Sequence, residues 1–190
     1  MIDVFHGTNQ LFDKFDHRKA RIVNDFYGGG VAYFTDNKEV AWTYAKSMQK
    51  KNGGEQYLYY CSIRLNKIFD VDKKFTGDDL IKMVKAHGNT EEFALGSKQL
   101  KFGMDKYIVI NKLNEGRLIL TGDIVFKGLS RGMVNTKKAR EIITSLGYDG
   151  LRYNGGVNMG MATKHNVYLV YNASSISINL AEVGVKGKKQ

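Results

Sequence analysis

Proline is absent from all 190 residues, and the chain has one cysteine and four histidines. Without proline, chain reversals fall to the 21 glycines and to Asn and Asp, which tolerate tight turns. The lone Cys61 excludes a disulfide framework or a four-thiolate zinc site within the chain; set between Tyr60 and Ser62-Ile63, it reads as a core thiol on a buried strand. His6, His17, His87 and His165 show no ligand spacing with one another or with Cys61, so no metal site is expected. No run of eighteen apolar residues exists to form a membrane-spanning helix. The start, Met1-Ile2-Asp3-Val4-Phe5, is too short and too acidic for a signal peptide. A soluble, cytoplasmic protein is therefore expected. Gly28-Gly29-Gly30 lacks the Lys-Ser or Lys-Thr of a phosphate loop and the spacing of a dinucleotide fingerprint, and is read as a flexible turn.

An apolar content of 43% suits one compact domain, expected over residues 1–182, with 183–190 as a flexible basic tail. Lys and Arg outnumber Asp and Glu by 29 to 19, a net charge of +10 that attracts polyanions, nucleic acid among them, without selecting one. The basic residues are scattered in small clusters, as on a solvated surface. Tyr57, Tyr59 and Tyr60, near Lys50, Lys51 and Arg64, offer rings that could stack on single-stranded RNA or DNA, although alternating aromatics in a strand are more often core.

Strands are expected at 1–5, 31–34, 57–65, 148–153, 167–171 and 174–178, with 67–71 extending the third beyond a bend. Asp36 is expected to cap a helix running to about Lys51, with Glu39 completing a capping box and Val40, Ala41, Tyr44, Ala45 and Met48 on one face. Segments 78–87 and 91–100 read as helical. Asn135 or Thr136 should cap another helix, stopped by Gly147. Three short apolar runs, at 107–110, 118–120 and 124–126, fit strand or helix equally well. Residues 9–30 read as irregular, and Asn154 to Ala162 as a glycine- and methionine-rich loop.

Two stretches carry chemistry. His6-Gly7-Thr8 closes the first apolar run, and Tyr33-Phe34-Thr35-Asp36-Asn37-Lys38-Glu39-Val40-Ala41-Trp42-Thr43-Tyr44 enters the helix with its two tyrosines eleven positions apart. Together they resemble the NAD-binding half of the ADP-ribosyltransferases with a His, Tyr, Glu signature, the group that includes diphtheria toxin and the poly(ADP-ribose) polymerases. The wording is most similar to the toxin branch. The resemblance is specific over residues 1–48 and 166–178.

That resemblance implies an α/β (α+β) fold, a split mixed sheet with flanking helices, and NAD as the substrate. His6 would bond a ribose hydroxyl, the backbone of Gly7 would hold the carboxamide, and Tyr33 and Tyr44 would sandwich the nicotinamide, as flat rings favour. Thr8, Thr35 and Ala41 fall among the NAD-binding positions, Ala41 where the polymerases carry a serine. Asn166-Val167-Tyr168-Leu169-Val170-Tyr171-Asn172 resembles the strand that bears the catalytic Glu, and places Val167 at its position. A valine neither accepts a hydrogen bond nor carries the charge that would stabilise an oxocarbenium-like ribose. Three outcomes follow: transfer of single ADP-ribose units with a carboxylate borrowed from the acceptor, substitution by a neighbour such as His165 or Asn166, or loss of activity. Asp149, in a turn-like Tyr-Asp-Gly, reads as structural. The expected function is mono-ADP-ribosylation of a protein or nucleic acid; the alternative is an inactive scaffold that binds RNA through its basic surface. The proline-free, lysine-rich composition suits a bacterial or bacteriophage protein.

Overall fold

Alternating apolar residues and β-branched or aromatic side chains make Ile2–Thr8 the first strand, β1, and Ala32–Thr35 the second, β2. In chain order there follow α1 (Lys38–Asn52), β3 (Tyr57–Ile63), β4 (Ile68–Asp70), β5 (Lys74–Thr76), α2 (Gly77–His87), α3 (Thr90–Lys98), α4 (Lys106–Asn114), β6 (Ile119–Thr121), α5 (Gly122–Leu129), α6 (Thr136–Ser145), β7 (Gly150–Asn154), the short α7 (Gly155–Asn158), β8 (Asn166–Val170), a 3-10 turn at Ala173–Ser175 and β9 (Ile176–Val183). The computed structural model describes residues 1–16, 27, 32–98, 106–158 and 163–184. The Gly28-Gly29-Gly30 turn and the end of the basic tail lie outside them.

Among the described residues, a sheet of seven strands, a sheet of two and seven helices give the expected α+β class. The chain divides into two compact units: Met1–Ala20, Gly30–Asn66 and Arg152–Gln190 form the first, Arg21–Gly29 and Lys67–Leu151 the second.

In the first unit the strand order is β7-β8-β2-β1-β3-β9. β8 with β2, β2 with β1, β1 with β3 and β3 with β9 all pair antiparallel. One face carries a core of Val4, Phe34, Tyr59, Cys61, Ile63, Tyr168 and Val170, onto which Phe12 and Phe15 pack. Cys61 is the expected core thiol, its pKa pushed up to about 12 by burial. The other face receives α1 through Val40, Ala41 and Ala45.

The second unit is mainly helical. Leu80, Met83, Val84, Phe93, Val125, Phe126, Leu129 and Ile143 are buried in it. The ambiguous apolar runs resolve here: 107–110 lies in α4, 119–120 in β6 and 124–126 in α5. Asp149 is structural, its carboxylate accepting the Lys67 N–H.

Several boundaries differ from expectation. β1 runs on to Thr8 because β3 pairs with it through Thr8↔Tyr57, so His6 lies within a strand and not at its end. The α1 cap is Asn37, not Asp36: the Asn37 side chain accepts from the N–H of Glu39 and of Val40, while both Asp36 oxygens are taken by Asn166. β9 reaches Val183, five residues past the expected end, because β3 pairs with it to Tyr57↔Val183. Segment 67–71 forms the separate strand β4, and the Asn154 loop begins with α7.

Candidate functional site

β1 and β2 pair at Phe5↔Thr35, whereas β1 stays with β3 out to Thr8 and β2 stays with β8 back to Ala32. Past that one rung the two strands share no further register pair, and a side chain stands in for the ladder: the His6 Nδ1 lies 2.7 Å from the Tyr33 carbonyl oxygen. The two strands thus part at the end of β1 that carries His6 and Gly7.

The carbonyl can only accept, so Nδ1 carries the proton. Burial lowers the His6 pKa, with the Tyr33 carbonyl acting the other way as the smaller cause. The ring is then the neutral tautomer, and Nε2 is left as an acceptor. Aromatic neighbours surround it: Phe15 edge-on at 5.2 Å, Phe34 at 5.6 Å, Phe12 at 6.1 Å and Tyr59 at 6.4 Å.

Gly7 faces α1. A Cβ built on it would stand 1.8 Å from the Ala41 carbonyl oxygen and 3.0 Å from the Ala45 nitrogen, so the missing side chain is what lets the helix backbone lie on the strand. Ala41, 1% exposed, is the helix side of that contact. Tyr44, three residues further along α1, is 36% exposed.

Thr8 and Thr35 are buried and locally committed: their hydroxyl oxygens accept the N–H of Gln10 and of Asn37. Thr35 pairs with Val167, and Tyr33 with Leu169. Since side chains alternate along a strand, Tyr33, Thr35 and Val167 turn to the face that receives α1, and His6 turns with Phe34 to the other. The structure thus sets Gly7 against Ala41 and Ala45 where α1 lies on β1, with Tyr44 on the same helix. It ties His6 to Tyr33 through the backbone, and sends the Val167 side chain away from the imidazole.

Val167 is 5% exposed and packs on Gly155 at the start of α7, where an added Cβ would come within 2.7 Å of its Cγ2 and 2.3 Å of the His165 Nε2. His165, just before the start of β8, is also buried, with its Nδ1 on the Thr163 carbonyl. Asn166 is engaged with Asp36: its N–H donates at 2.8 Å and its side-chain amide at 2.6 Å. This clamp ties the end of β2 to the start of β8. Sequence reasoning missed it, having assigned Asp36 to the helix cap. It also missed the aromatic wall around His6; the Phe12, Phe15 spacing in the stretch read as irregular was the available signal.

A family model described as ADP-ribosyltransferase in polyvalent proteins matches residues 1–179. No curated protein and no solved structure matches the chain.

Proposed function

We propose a function from one premise: the chain belongs to the family of ADP-ribosyltransferases of polyvalent proteins, a family that uses NAD as substrate. It binds NAD at the split between β1 and β2 and transfers one ADP-ribose unit to a protein or nucleic acid. The split carries this reading, because its residues suit the ligand's parts. The neutral His6 offers an acceptor to a ribose hydroxyl from its side of the sheet, while the Gly7 backbone, Tyr44 at 36% exposure and Tyr33 lie toward α1, the two tyrosines as the rings for the nicotinamide. Thr8, Thr35, Ala41 and Val167 support these groups from β1, β2, α1 and β8.

In the reaction the bond between the nicotinamide nitrogen and the ribose anomeric carbon breaks, and nicotinamide leaves with the bonding pair. The acceptor's oxygen or nitrogen bonds to that carbon and gives up its proton. With a buried valine at the position of the family's Glu, a protein acceptor supplies the stabilising carboxylate itself. The same valine favours a second reading, a scaffold that has lost the reaction and binds RNA through its +10 charge.

Incubation with NAD labelled in the adenylate and a cell lysate separates them. Label transfer and nicotinamide release by the natural chain, lost in Tyr33→Ala, support the transferase. Salt-sensitive RNA binding untouched by Tyr33→Ala, with no transfer, supports the scaffold.

A further inference from the structure

Tyr59 belongs to none of the signature positions, yet it is 1% exposed and pairs with His6 across the β1 to β3 ladder. Its hydroxyl accepts the Phe12 N–H at 2.6 Å and donates to the Phe12 carbonyl at 3.0 Å, so both backbone polar groups of one residue end on one phenol. Its ring stacks on that of Phe12 at 4.4 Å and 10°, and Phe12 meets Phe15 edge-on at 4.9 Å. Phe15 in turn lies edge-on to the imidazole. The segment that holds Phe12 and Phe15 has no helix or strand of its own. Among the described contacts, the Tyr59 hydroxyl is what binds its backbone to β3.

We infer that Tyr59, acting through Phe12 and Phe15, is a positioning residue for His6: the aromatic wall it anchors keeps the imidazole from turning, so that Nδ1–H stays on the Tyr33 carbonyl and Nε2 stays available to a ribose hydroxyl. This rests on the NAD reading for its consequence, but not for its geometry. A ring free to rotate about its terminal bond would exchange nitrogen for carbon at the carbonyl and lose its single tautomer. Removing the hydroxyl leaves the Phe12 N–H and C=O without that partner, and the wall loosens.

The test uses the full chain with ¹⁵N-labelled histidine, the His6 signals being assigned by their loss in His6→Gln. The natural chain is expected to show a protonated Nδ1 and an unprotonated Nε2. Tyr59→Phe should convert this to a mixture of tautomers and lower kcat/KM for nicotinamide release about tenfold, the worth of roughly one hydrogen bond. Phe12→Leu, which keeps both backbone bonds to Tyr59 and alters only the stack, should move both readouts the same way but less. A Tyr59→Phe chain with the natural tautomer pattern overturns the inference, whatever its rate. If the natural chain neither binds NAD nor releases nicotinamide, the NAD reading fails, and the tautomer spectra still decide the role of Tyr59.

Discussion

Replacing Gly7 by alanine probes the contact on which the candidate site is built. The added Cβ would stand 1.8 Å from the Ala41 carbonyl oxygen and 2.7 Å from its carbon, against an ordinary contact of 3.4 Å or more. Both obstacles are helix backbone, so no side chain can swing aside, and α1 would have to retreat from β1 by about 1.6 Å. The backbone at Gly7 is not in the left-handed region, which makes the new methyl the whole cause. Overpacking against a yielding neighbour costs about 1–3 kcal/mol, and an unyielding one belongs at or above the top of that range. At about 3 kcal/mol, and 2–4 °C per kcal/mol for a chain of this size, Tm should fall by roughly 6–12 °C. Tyr44 rides on the same helix, so NAD binding should weaken beyond the loss of stability. Thermal unfolding followed by circular dichroism, with calorimetric NAD titration well below Tm, measures both. A Gly7→Ala chain that melts within about 2 °C of the natural one would refute the close approach of helix to strand.

Restoring a carboxylate by Val167→Glu is expected to destabilise the protein, not activate it. The position is 5% exposed and pressed on Gly155, so the charge would be buried, at a cost of about 3 kcal/mol or more. A natural Tm together with faster nicotinamide release would show instead that the side chain opens into the site. Acid should also weaken the fold through two histidines. His87 is 5% exposed, its Nδ1 on the Asn89 carbonyl and its Nε2 buried without a partner; burial first, then the charge of Lys138, lowers its pKa, and burial lowers that of His6. The unfolded chain takes these protons near pH 6.5 and the folded chain only lower. Stability should therefore hold above that pH and fall as pH drops below it, by at most about 1.4 kcal/mol per pH unit per histidine, levelling once the folded rings protonate. Urea midpoints from pH 7.5 to 5 should show this, and His87→Gln should reduce the slope; an unchanged slope would exclude His87 as a contributor.

Local pattern was enough to reveal the family, the α+β class and the principal helices. Short-range rules govern those features: the periodicity of Val40, Ala41 and Ala45, the Asn135 cap and the Gly147 stop act within a few residues of themselves. Where two local partners competed, distant contacts decided. Asp36 and Asn37 are both good caps, and Asn37 takes the helix because Asn166, 130 residues from Asp36, claims both oxygens of that carboxylate. His6-Gly7-Thr8 was legible as a motif. That Gly7 accommodates the backbone of Ala41, that the Tyr33 carbonyl fixes the His6 proton, and that Phe12 and Phe15 close over the ring became visible only when the strands were in register. The chain order names the groups that a site requires. Pairing across the sheet sets their spacing, their faces and their protonation, because those depend on neighbours that the linear sequence keeps tens of residues apart.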